Sequence, residues 1–319
     1  MLWIYWWELG FYFLGLLYGF GLLVYLPIVQ SRTLIRLIFS YIFLFMEIAR
    51  GSILLGRSRV SYLRFGRGNR LLFAFHGFGD RAAMFLSISE ALESEYVVYA
   101  IDLPFHGHTE WREKYFAGQD FVEVVEQICA LEGKEQFDLM GFSFGARIVE
   151  RLFFGFGTRV ERLWLFAPDG LETKWMFEVS MIPRPIRYLA HWLLNRPAWL
   201  LRLLGFLHRR HLINPFIYAF TVRHLNRSLR RERLFSYWLS MDDFAISAVL
   251  FKSRLDNAGV RVDVFIGNRD EIVSLGAVES LANGVGNVFL HVVDGGHHLV
   301  NRDIVGLVAG LAHPIGVAN

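Results

Sequence analysis

Short apolar runs alternate with helical patterns along most of the chain. Residues 71–75 form a continuous apolar run, typical of a strand covered on both faces. The other predicted strands are 60–65, 96–101, 137–140, 160–166, 260–266 and 288–293. The predicted helices are 82–92, 121–131, 146–154, 244–255, 275–281 and 304–311. This alternation predicts an α/β fold with a mostly parallel sheet, helices on both faces and ligands bound beyond the carboxyl ends of the strands.

The first 56 residues interrupt this alternation. Residues 11–29 contain no charged side chain, and about 19 apolar residues are enough for a helix to cross the hydrocarbon core. We therefore predict that 1–56 is a hydrophobic N-terminal anchor with one transmembrane helix at about 9–29. The second apolar stretch, 37–49, is short and contains Glu47, so we expect it to lie along the interface.

The charges beside this segment predict its orientation. Arg32 and Arg36 follow the apolar stretch, so the positive-inside rule places the rest of the chain in the cytoplasm. A second span at 37–49 would reverse this orientation. Two alternatives to an anchor are a buried core helix and a translation start further downstream, for which Met46 is a candidate.

The most informative motif follows a predicted strand. Gly141, Ser143 and Gly145 form a G-x-S-x-G sequence between the apolar run 137–140 and the helical run 146–154. In a sharp strand–turn–helix connection, glycines avoid clashes with neighbouring elements and the serine hydroxyl stands clear of the sheet. A Gly- and Ser-rich turn is the simpler alternative, but the strand–helix setting favours a nucleophile.

Four further segments lie in order at the ends of predicted strands. They are 76–79, 102–107, 267–270 and 295–297. From about residue 60 to the C-terminus the chain therefore resembles the α/β-hydrolase superfamily. The resemblance implies a core at 57–170 and 241–319 and a helical cap at 171–240. Phe105 stands where similar sequences often have glycine, which leaves the path of the 102–108 loop open.

The resemblance also implies catalytic residues. Ser143 is a poor nucleophile without a base, and the order serine, acid, histidine of this fold implies His297 as that base. The neighbouring His298 is the alternative. Asp270 would accept the imidazole N–H. Asp169 is the alternative acid, although its Pro-Asp-Gly setting also fits an ordinary turn residue.

The tetrahedral intermediate of acyl transfer needs two hydrogen-bond donors. The resemblance implies the backbone N–H groups of Phe78 and Phe144 as this oxyanion hole. His76, Gly77 and Phe142 are candidates for the substrate pocket, and we expect His76 to brace the oxyanion loop rather than to react. A serine at the elbow, where related epoxide hydrolases and haloalkane dehalogenases carry aspartate, implies an acyl-enzyme.

Charge is concentrated in the predicted cap. Residues 171–240 contain 12 Lys and Arg but only 3 Asp and Glu, so the net charge of +3 for the whole chain conceals a segment near +9. Arginines interleaved with aromatic residues favour contact with anionic lipid headgroups, and we expect Arg209, Arg210, Arg230 and Arg231 to take part. The alternatives are a cap with a solvated basic face and a nucleic-acid site, which the absence of a recognition motif disfavours.

Other chemistry is weakly indicated. Cys129 is the only cysteine, which excludes an internal disulfide and a cysteine metal cluster. His106 and His108 have no third partner, so we interpret them as loop histidines. No cofactor or metal is implied.

The sequence thus predicts a membrane-anchored serine hydrolase that cleaves a carboxylic ester with an apolar acyl chain. The alternatives keep the triad but act on an amide, thioester, peptide or C–C bond or transfer the acyl group. A further alternative is a non-catalytic binding module. The predicted partners are a small-molecule ester or lipid and a membrane surface.

Overall fold

An eight-stranded sheet lies at the centre of the computed structural model, which describes residues 48–171, 197–215, 218–219, 222, 236–237 and 239–312. The strands are β1 (Ala49–Leu55), β2 (Ser58–Phe65), β3 (Arg70–Phe75), β4 (Tyr96–Ile101), β5 (Phe137–Phe142), β6 (Val160–Phe166), β7 (Arg261–Gly267) and β8 (Val288–Val293). Their order across the sheet is β1-β2-β4-β3-β5-β6-β7-β8. β1 and β2 are antiparallel to their neighbours, and β3 to β8 run parallel. The predicted, mostly parallel sheet is confirmed.

Helices connect the parallel strands. The α-helices are α1 (Gly118–Glu132), α2 (Phe144–Phe156), α3 (Pro197–Arg209), α4 (Ala248–Ala258), α5 (Leu275–Ala282) and α6 (Val305–Ala312). Shorter 3-10 helices occupy Ala82–Ala91, Gly157–Arg159, Met241–Phe244 and Arg302–Ile304. Every residue of β5 is buried, as expected for a strand with helices on both sides of the sheet.

Aromatic packing stabilises the central strands. Phe166 and Phe265 stack on neighbouring strands with ring centroids 4.3 Å apart, and Trp164 stacks on Phe265 at 6.2 Å. Burying one such side chain contributes about 1.5–3 kcal/mol. Since β5, β7 and β8 all end at the same edge of this rigid sheet, the loops that follow them are held close together.

The first strand, β1, was not predicted. It lies at 49–55, inside the range 1–56 assigned to the anchor, and pairs with β2 from Ala49↔Arg64 to Leu55↔Ser58. β1 is an edge strand with mostly exposed side chains, so it lacks the apolar pattern of a buried strand. The predicted span at about 9–29 lies outside the described residues. Within the described part of the chain, no helix combines the length and apolar character needed to cross a bilayer.

Two predicted helices differ in detail. Residues 82–91 form a 3-10 helix rather than an α-helix. The helix predicted at 244–255 is divided, because Met241–Phe244 is a 3-10 turn and α4 begins only at Ala248. The division follows from tertiary packing, since the ring of Phe244 is buried against those of Phe116 and Phe144. Of the predicted cap, the structure describes residues 171, 197–215, 218–219, 222, 236–237 and 239–240, which include α3. The other cap residues, among them Arg230 and Arg231, lie outside the described ranges.

Candidate active site

The sharp turn between β5 and α2 carries Ser143. Its backbone has φ 51° and ψ −118°, a sparsely populated conformation that costs of the order of 1–3 kcal/mol for a residue other than glycine. Both flanking glycines are required by close contacts. A Cβ at Gly145 would lie 1.9 Å from the carbonyl oxygen of Phe75, and one at Gly141 would lie 2.6 Å from the nitrogen of Ala146.

The loops after β7 and β8 bring an acid and a base to this serine. His297 Nε2 lies 3.0 Å from Ser143 Oγ, and His297 Nδ1 lies 2.9 Å from Asp270 Oδ2. The imidazole side chain is 12% exposed and the carboxylate is fully buried. His298, the alternative base, is exposed, and its ring lies 5.8 Å from that of Phe142.

Backbone contacts between the two loops explain this proximity. The N–H of Asn268 donates to Val293 O at 3.0 Å, and the N–H of Arg269 donates to Gly295 O at 2.9 Å. A Cβ at Gly267 would lie 2.4 Å from Gly295 O, so the absence of a side chain there permits the close approach. The two loops are therefore hydrogen-bonded to each other beyond the carboxyl ends of β7 and β8.

Asp270 lies in surroundings that favour its charged form. Its Oδ1 accepts hydrogen bonds from the backbone N–H groups of Ile272 (2.8 Å) and Val273 (3.0 Å). Burial acts to raise the pKa of Asp270, but the hydrogen bonds from His297 and the backbone, together with attraction to the ring, outweigh it and hold the pKa below its ordinary value. An ionised carboxylate can orient the imidazole and stabilise the imidazolium that forms when the ring takes a proton.

Asp169, the alternative acid, is bound elsewhere. Arg147 Nε lies 3.0 Å from its Oδ2, and Arg147 Nη2 lies 3.3 Å from its Oδ1. The guanidinium therefore occupies both carboxylate oxygens. Of the two acids considered from the sequence, Asp270 is the one whose carboxylate contacts the ring of His297.

The two predicted oxyanion donors lie beside Ser143. Phe144 is the first residue of α2, where N–H groups have no acceptor within the helix. Residues 76–79, the predicted oxyanion loop, pass close to the serine: a Cβ at Gly77 would lie 3.1 Å from Ser143 Cβ and 3.0 Å from the ring of Phe142. The backbone of Phe78 follows immediately in this loop.

His76 ties the oxyanion loop to the strand-end loop at 103. The ring is fully buried; Nε2 accepts the N–H of Leu103 at 3.0 Å, and Nδ1 lies 2.7 Å from Gly77 O. Since Nε2 is an acceptor, the proton lies on Nδ1 and donates to that carbonyl. Both ring nitrogens are used in holding the loop.

His106 also contacts the oxyanion loop, a placement that the sequence interpretation missed. The ring is buried; Nε2 accepts the N–H of Gly79 at 2.9 Å, and Nδ1 lies 2.9 Å from Pro104 O. The adjacent Phe105 has φ 62°, a left-handed backbone that usually selects glycine. This explains the glycine in similar sequences, and it could have indicated a tight turn that directs His106 inward.

A cluster of aromatic rings packs on the predicted oxyanion donors. The ring of Tyr237 lies 4.9 Å from that of Phe78 and 4.8 Å from that of Phe144, and it also contacts Phe116 and His106. Tyr237 thus packs on the side chains of both predicted oxyanion donors. No spacing in the sequence signals this contact, because Tyr237 lies almost 100 residues from the elbow within a block that lacks a regular pattern.

Metal ligation finds no support in the geometry. Among the described residues, no three His, Cys, Asp or Glu side chains are grouped as metal ligands. The ring of His106 contacts backbone groups. His108 is exposed, and its backbone N–H donates to Asp102 Oδ2 at 2.9 Å. The single cysteine, Cys129, is buried in α1, and burial raises the pKa of its thiol to about 11.

A family model described as alpha/beta hydrolase fold matches residues 70–302, whereas no curated protein sequence matches the chain. A thermophilic esterase from Thermogutta terrifontis in its malate-bound form shares 17% identity, with a TM-score of 0.60 over 82% of this chain and 96% of that chain. Haloalkane dehalogenase DbeA from Bradyrhizobium elkani USDA94 shares 15% identity, with a TM-score of 0.57 over 83% of this chain and 99% of that chain. A thioesterase domain from the curacin biosynthetic pathway shares 13% identity, with a TM-score of 0.55 over 83% of this chain and 98% of that chain. At these identities the likeness concerns the fold.

Proposed function

Because the chain belongs to the α/β-hydrolase family, we propose that it is a serine hydrolase that cleaves a carboxylic ester through an acyl-Ser143 intermediate. One observation carries the proposal. Ser143 Oγ, His297 and Asp270 form a continuous chain of contacts at 3.0 and 2.9 Å. A hydroxyl, an imidazole and a buried carboxylate in this order are the groups that acyl transfer requires.

The proposed reaction assigns one role to each group. As Ser143 Oγ attacks the ester carbonyl, His297 Nε2 takes the hydroxyl proton and then gives it to the leaving alcohol. The carboxylate of Asp270 stabilises the ring while it is charged. The backbone N–H groups of Phe78 and Phe144 stabilise the oxyanion, and loss of one such donor typically costs about 2.7–4 kcal/mol. Water activated by His297 then attacks the acyl-enzyme and releases the acid.

The surroundings of Ser143 support an apolar acyl group. The partly exposed ring of Phe78 and the buried rings of Phe142, Phe144 and Tyr237 surround the elbow with aromatic carbon, and ligand sites are lined predominantly by apolar and aromatic side chains. The fold likeness to an esterase agrees with an ester substrate. The likeness to a thioesterase domain keeps the thioester in the runner-up group, which also contains the amide, peptide and C–C bonds and acyl transfer.

A fluorophosphonate probe tests the nucleophile. The full chain should be labelled, and labelling should disappear in Ser143→Ala because the probe reacts only with an activated serine. Ser253→Ala is the matched control, since Ser253 lies exposed on α4, and it should be labelled like the parent. An unlabelled parent would favour the non-catalytic binding module, and labelling that persists in Ser143→Ala would assign the nucleophile to another residue.

A substrate panel tests the bond. Matched ester, thioester and amide compounds with the same apolar acyl group should be hydrolysed with the ester fastest in kcat/KM. A thioester or amide preferred over the ester would contradict the proposed bond and retain the triad. Transfer of the acyl group to an added alcohol or amine in preference to water would assign an acyltransferase.

We also propose a membrane surface as partner. The exposed large side chains of α3 and the residue after it are Trp199, Arg202, Leu203, Phe206, Arg209 and Arg210. Their spacing places them on one helix face. The three apolar members are 41%, 39% and 46% exposed, and residues 197–215 contain no acidic side chain. A helix face with these side chains suits the boundary between acyl chains and anionic headgroups.

Site-directed labelling tests this surface. Leu203→Cys can be labelled with an environment-sensitive fluorophore on the full chain, because Cys129 is buried, and Ser253→Cys serves as the control position. In phosphatidylcholine vesicles with phosphatidylserine, spin-labelled lipid should quench the probe at 203 and not at 253. Quenching at 203 should weaken when Arg202, Arg209 and Arg210 are replaced by Glu. Equal quenching at both positions would contradict the proposal.

The segment at about 9–29 supplies the proposed anchor, with the catalytic domain in the cytoplasm. The full chain should remain in the membrane pellet after alkaline carbonate extraction, because a spanning helix resists conditions that release surface-bound proteins. In intact cells, external protease should leave the catalytic domain uncleaved. Release by carbonate would contradict the anchor, and cleavage in intact cells would contradict the orientation.

A further inference from the structure

An ion pair lies behind the nucleophile elbow and takes no part in the reaction proposed above. Arg147 stands on α2, one helical turn after Ser143, and its side chain is only 8% exposed. Its Nε and Nη2 donate to the two oxygens of Asp169 at 3.0 and 3.3 Å. This bidentate geometry fixes the orientation of both side chains. Arg147 and Asp169 are called the clamp below.

The clamp is joined to the backbone of the nucleophile. The N–H of Asp169 donates to Ser143 O at 3.3 Å, and the N–H of Ser143 donates to Phe166 O at 2.9 Å. The peptide groups on both sides of the serine are thereby bound by the end of β6 and the turn that follows it. Any shift of Asp169 therefore acts on the backbone that presents the hydroxyl.

The turn that carries Asp169 is strained and packs closely against the side chain of Arg147. Ala167 has φ 42° and Gly170 has φ 106°, and a Cβ at Gly170 would lie 3.2 Å from Arg147 side-chain atoms. The serine itself also has a positive φ of 51°. Such conformations persist only where surrounding contacts hold them, and the guanidinium supplies the contact between the turn and α2.

A second carboxyl group lies on the same helix, one turn after Arg147. Glu150 is almost fully buried, and burial raises its pKa to about 8 against the opposing charge of Arg147. A neutral carboxyl group attracts the guanidinium less than a carboxylate would, which favours the pairing of Arg147 with Asp169.

We propose that Arg147 and Asp169 are positioning residues that hold the Ser143 hydroxyl in line with His297. This inference rests on the proposed function. The nitrogens of the imidazole ring contact Asp270 and Ser143, whereas the clamp is joined to the elbow through the carbonyl of Ser143. It acts through the backbone, so its loss should lower kcat for each folded molecule and leave KM for a small ester nearly unchanged.

Three variants and a matched control test the clamp in the full chain. Arg147→Met, Asp169→Asn and the double variant should each lower kcat about 10-fold to 100-fold, with the double variant no worse than the single ones because all three break the same contact. Arg147→Lys should recover part of the loss. Arg151→Met is the control. Arg151 lies on the same helix as Arg147 and also pairs with an aspartate, Asp243, at 3.9 Å. This variant should keep the parent kcat.

Active-site titration separates positioning from a loss of folding. With a fluorophosphonate as titrant, a purely structural role would reduce the number of active sites and leave the kcat of each site unchanged, which would overturn the inference. A loss of about 10⁴-fold in Asp169→Asn, as expected for the triad acid, would also overturn it. If Asp169→Asn and Arg147→Met both kept the kcat of the parent, the inference would also be overturned. Failure of the proposed function is distinguishable, because the parent itself would then remain unlabelled.

Discussion

Two aspartate–histidine pairs bridge β7 and β8, and they have the same length but different surroundings. Within the two strands, Asp263 Oδ1 lies 2.9 Å from His291 Nε2. Just beyond the carboxyl ends, Asp270 Oδ2 lies 2.9 Å from His297 Nδ1. Both carboxylates are fully buried. The hydrogen bond alone therefore does not separate an ion cluster from a candidate catalytic pair.

The remaining contacts of the two aspartates separate them. Asp263 also binds Arg162 at 2.6 Å and Arg261 at 2.9 Å. Burial acts to raise the pKa of Asp263, but the hydrogen bonds from His291 and the two arginines hold it well below its ordinary value. Asp270 instead receives backbone N–H groups, which orient it without adding a competing cation.

The two histidines differ in the same way. The second nitrogen of His297 faces a hydroxyl, at 3.0 Å from Ser143 Oγ, whereas the ring of His291 stacks on Phe265 at 4.8 Å. A histidine can transfer a proton when the ring nitrogen that does not contact the carboxylate lies within hydrogen-bond distance of the reacting group. The comparison teaches that the position of the pair decides its use. The pair beyond the carboxyl ends meets the Ser143 hydroxyl in the turn after β5, whereas the pair within the strands meets the arginines of β6 and β7.

The largest expected effect comes from Asp270→Asn. The amide preserves the shape but cannot stabilise the charged ring or keep its tautomer, so kcat for a soluble ester should fall about 10⁴-fold. Steady-state kinetics on the full chain check this value. A kcat within about 10-fold of the parent would contradict the catalytic role proposed for the Asp270–His297 pair.

Asp263→Asn should affect stability rather than rate. Removing one partner of a buried ion pair leaves the other uncompensated, so the free energy of unfolding should fall by about 3–5 kcal/mol. Urea unfolding measures this change, and the kcat of each titrated active site should remain close to that of the parent. A large loss of kcat per active site would mean that the Asp263–His291 pair contributes to the reaction.

The pH dependence of that stability difference sharpens the contrast. Because the pKa of Asp263 is depressed in the folded protein, the unfolded chain takes up the proton first as pH falls. The stability supplied by the carboxylate is present above its ordinary pKa of 3.8 and is lost as the pH drops further. The difference in unfolding free energy between the parent and Asp263→Asn should be constant near neutral pH and shrink below this value. A difference that grows on acidification would contradict the depressed pKa.

The smallest effect is expected for His298→Gln. The ring of His298 is exposed and contacts Phe142 and the neighbouring histidine by ring packing, so kcat/KM should change by less than about threefold, as for a surface substitution. His297→Gln removes the base itself and should instead lose about 10⁴-fold or more in kcat. Equal losses in both histidine variants would contradict the distinction between the adjacent rings.

Much of the sheet could be predicted because most of its strands are continuous apolar runs. The apolar run at 71–75 lies in β3, and the ranges 96–101, 160–166 and 288–293 coincide with β4, β6 and β8. β1 was missed because an edge strand exposes most of its side chains and needs no apolar pattern. The division of the helix predicted at 244–255 was missed because it depends on where the ring of Phe244 packs.

The same distinction applies to the site. Local sequence identified Ser143 because the sharp turn needs glycine at 141 and 145, and all three residues lie within five positions of the chain. His106 and Tyr237 could not be found in this way. Their contacts with the oxyanion loop and its aromatic neighbours join segments that are distant along the chain.

The sequence by itself determined the order of strands and helices, the family and the positions where a nucleophile, an acid and a base could stand. These features depend on short-range patterns, on burial and on steric needs that neighbouring residues express. Only the tertiary structure decided that His297 and not His298 reaches Ser143, that Arg147 occupies Asp169, and that Asp263 lies among arginines. Each of these outcomes depends on contacts across the sheet, where the register of distant strands sets the distances between side chains.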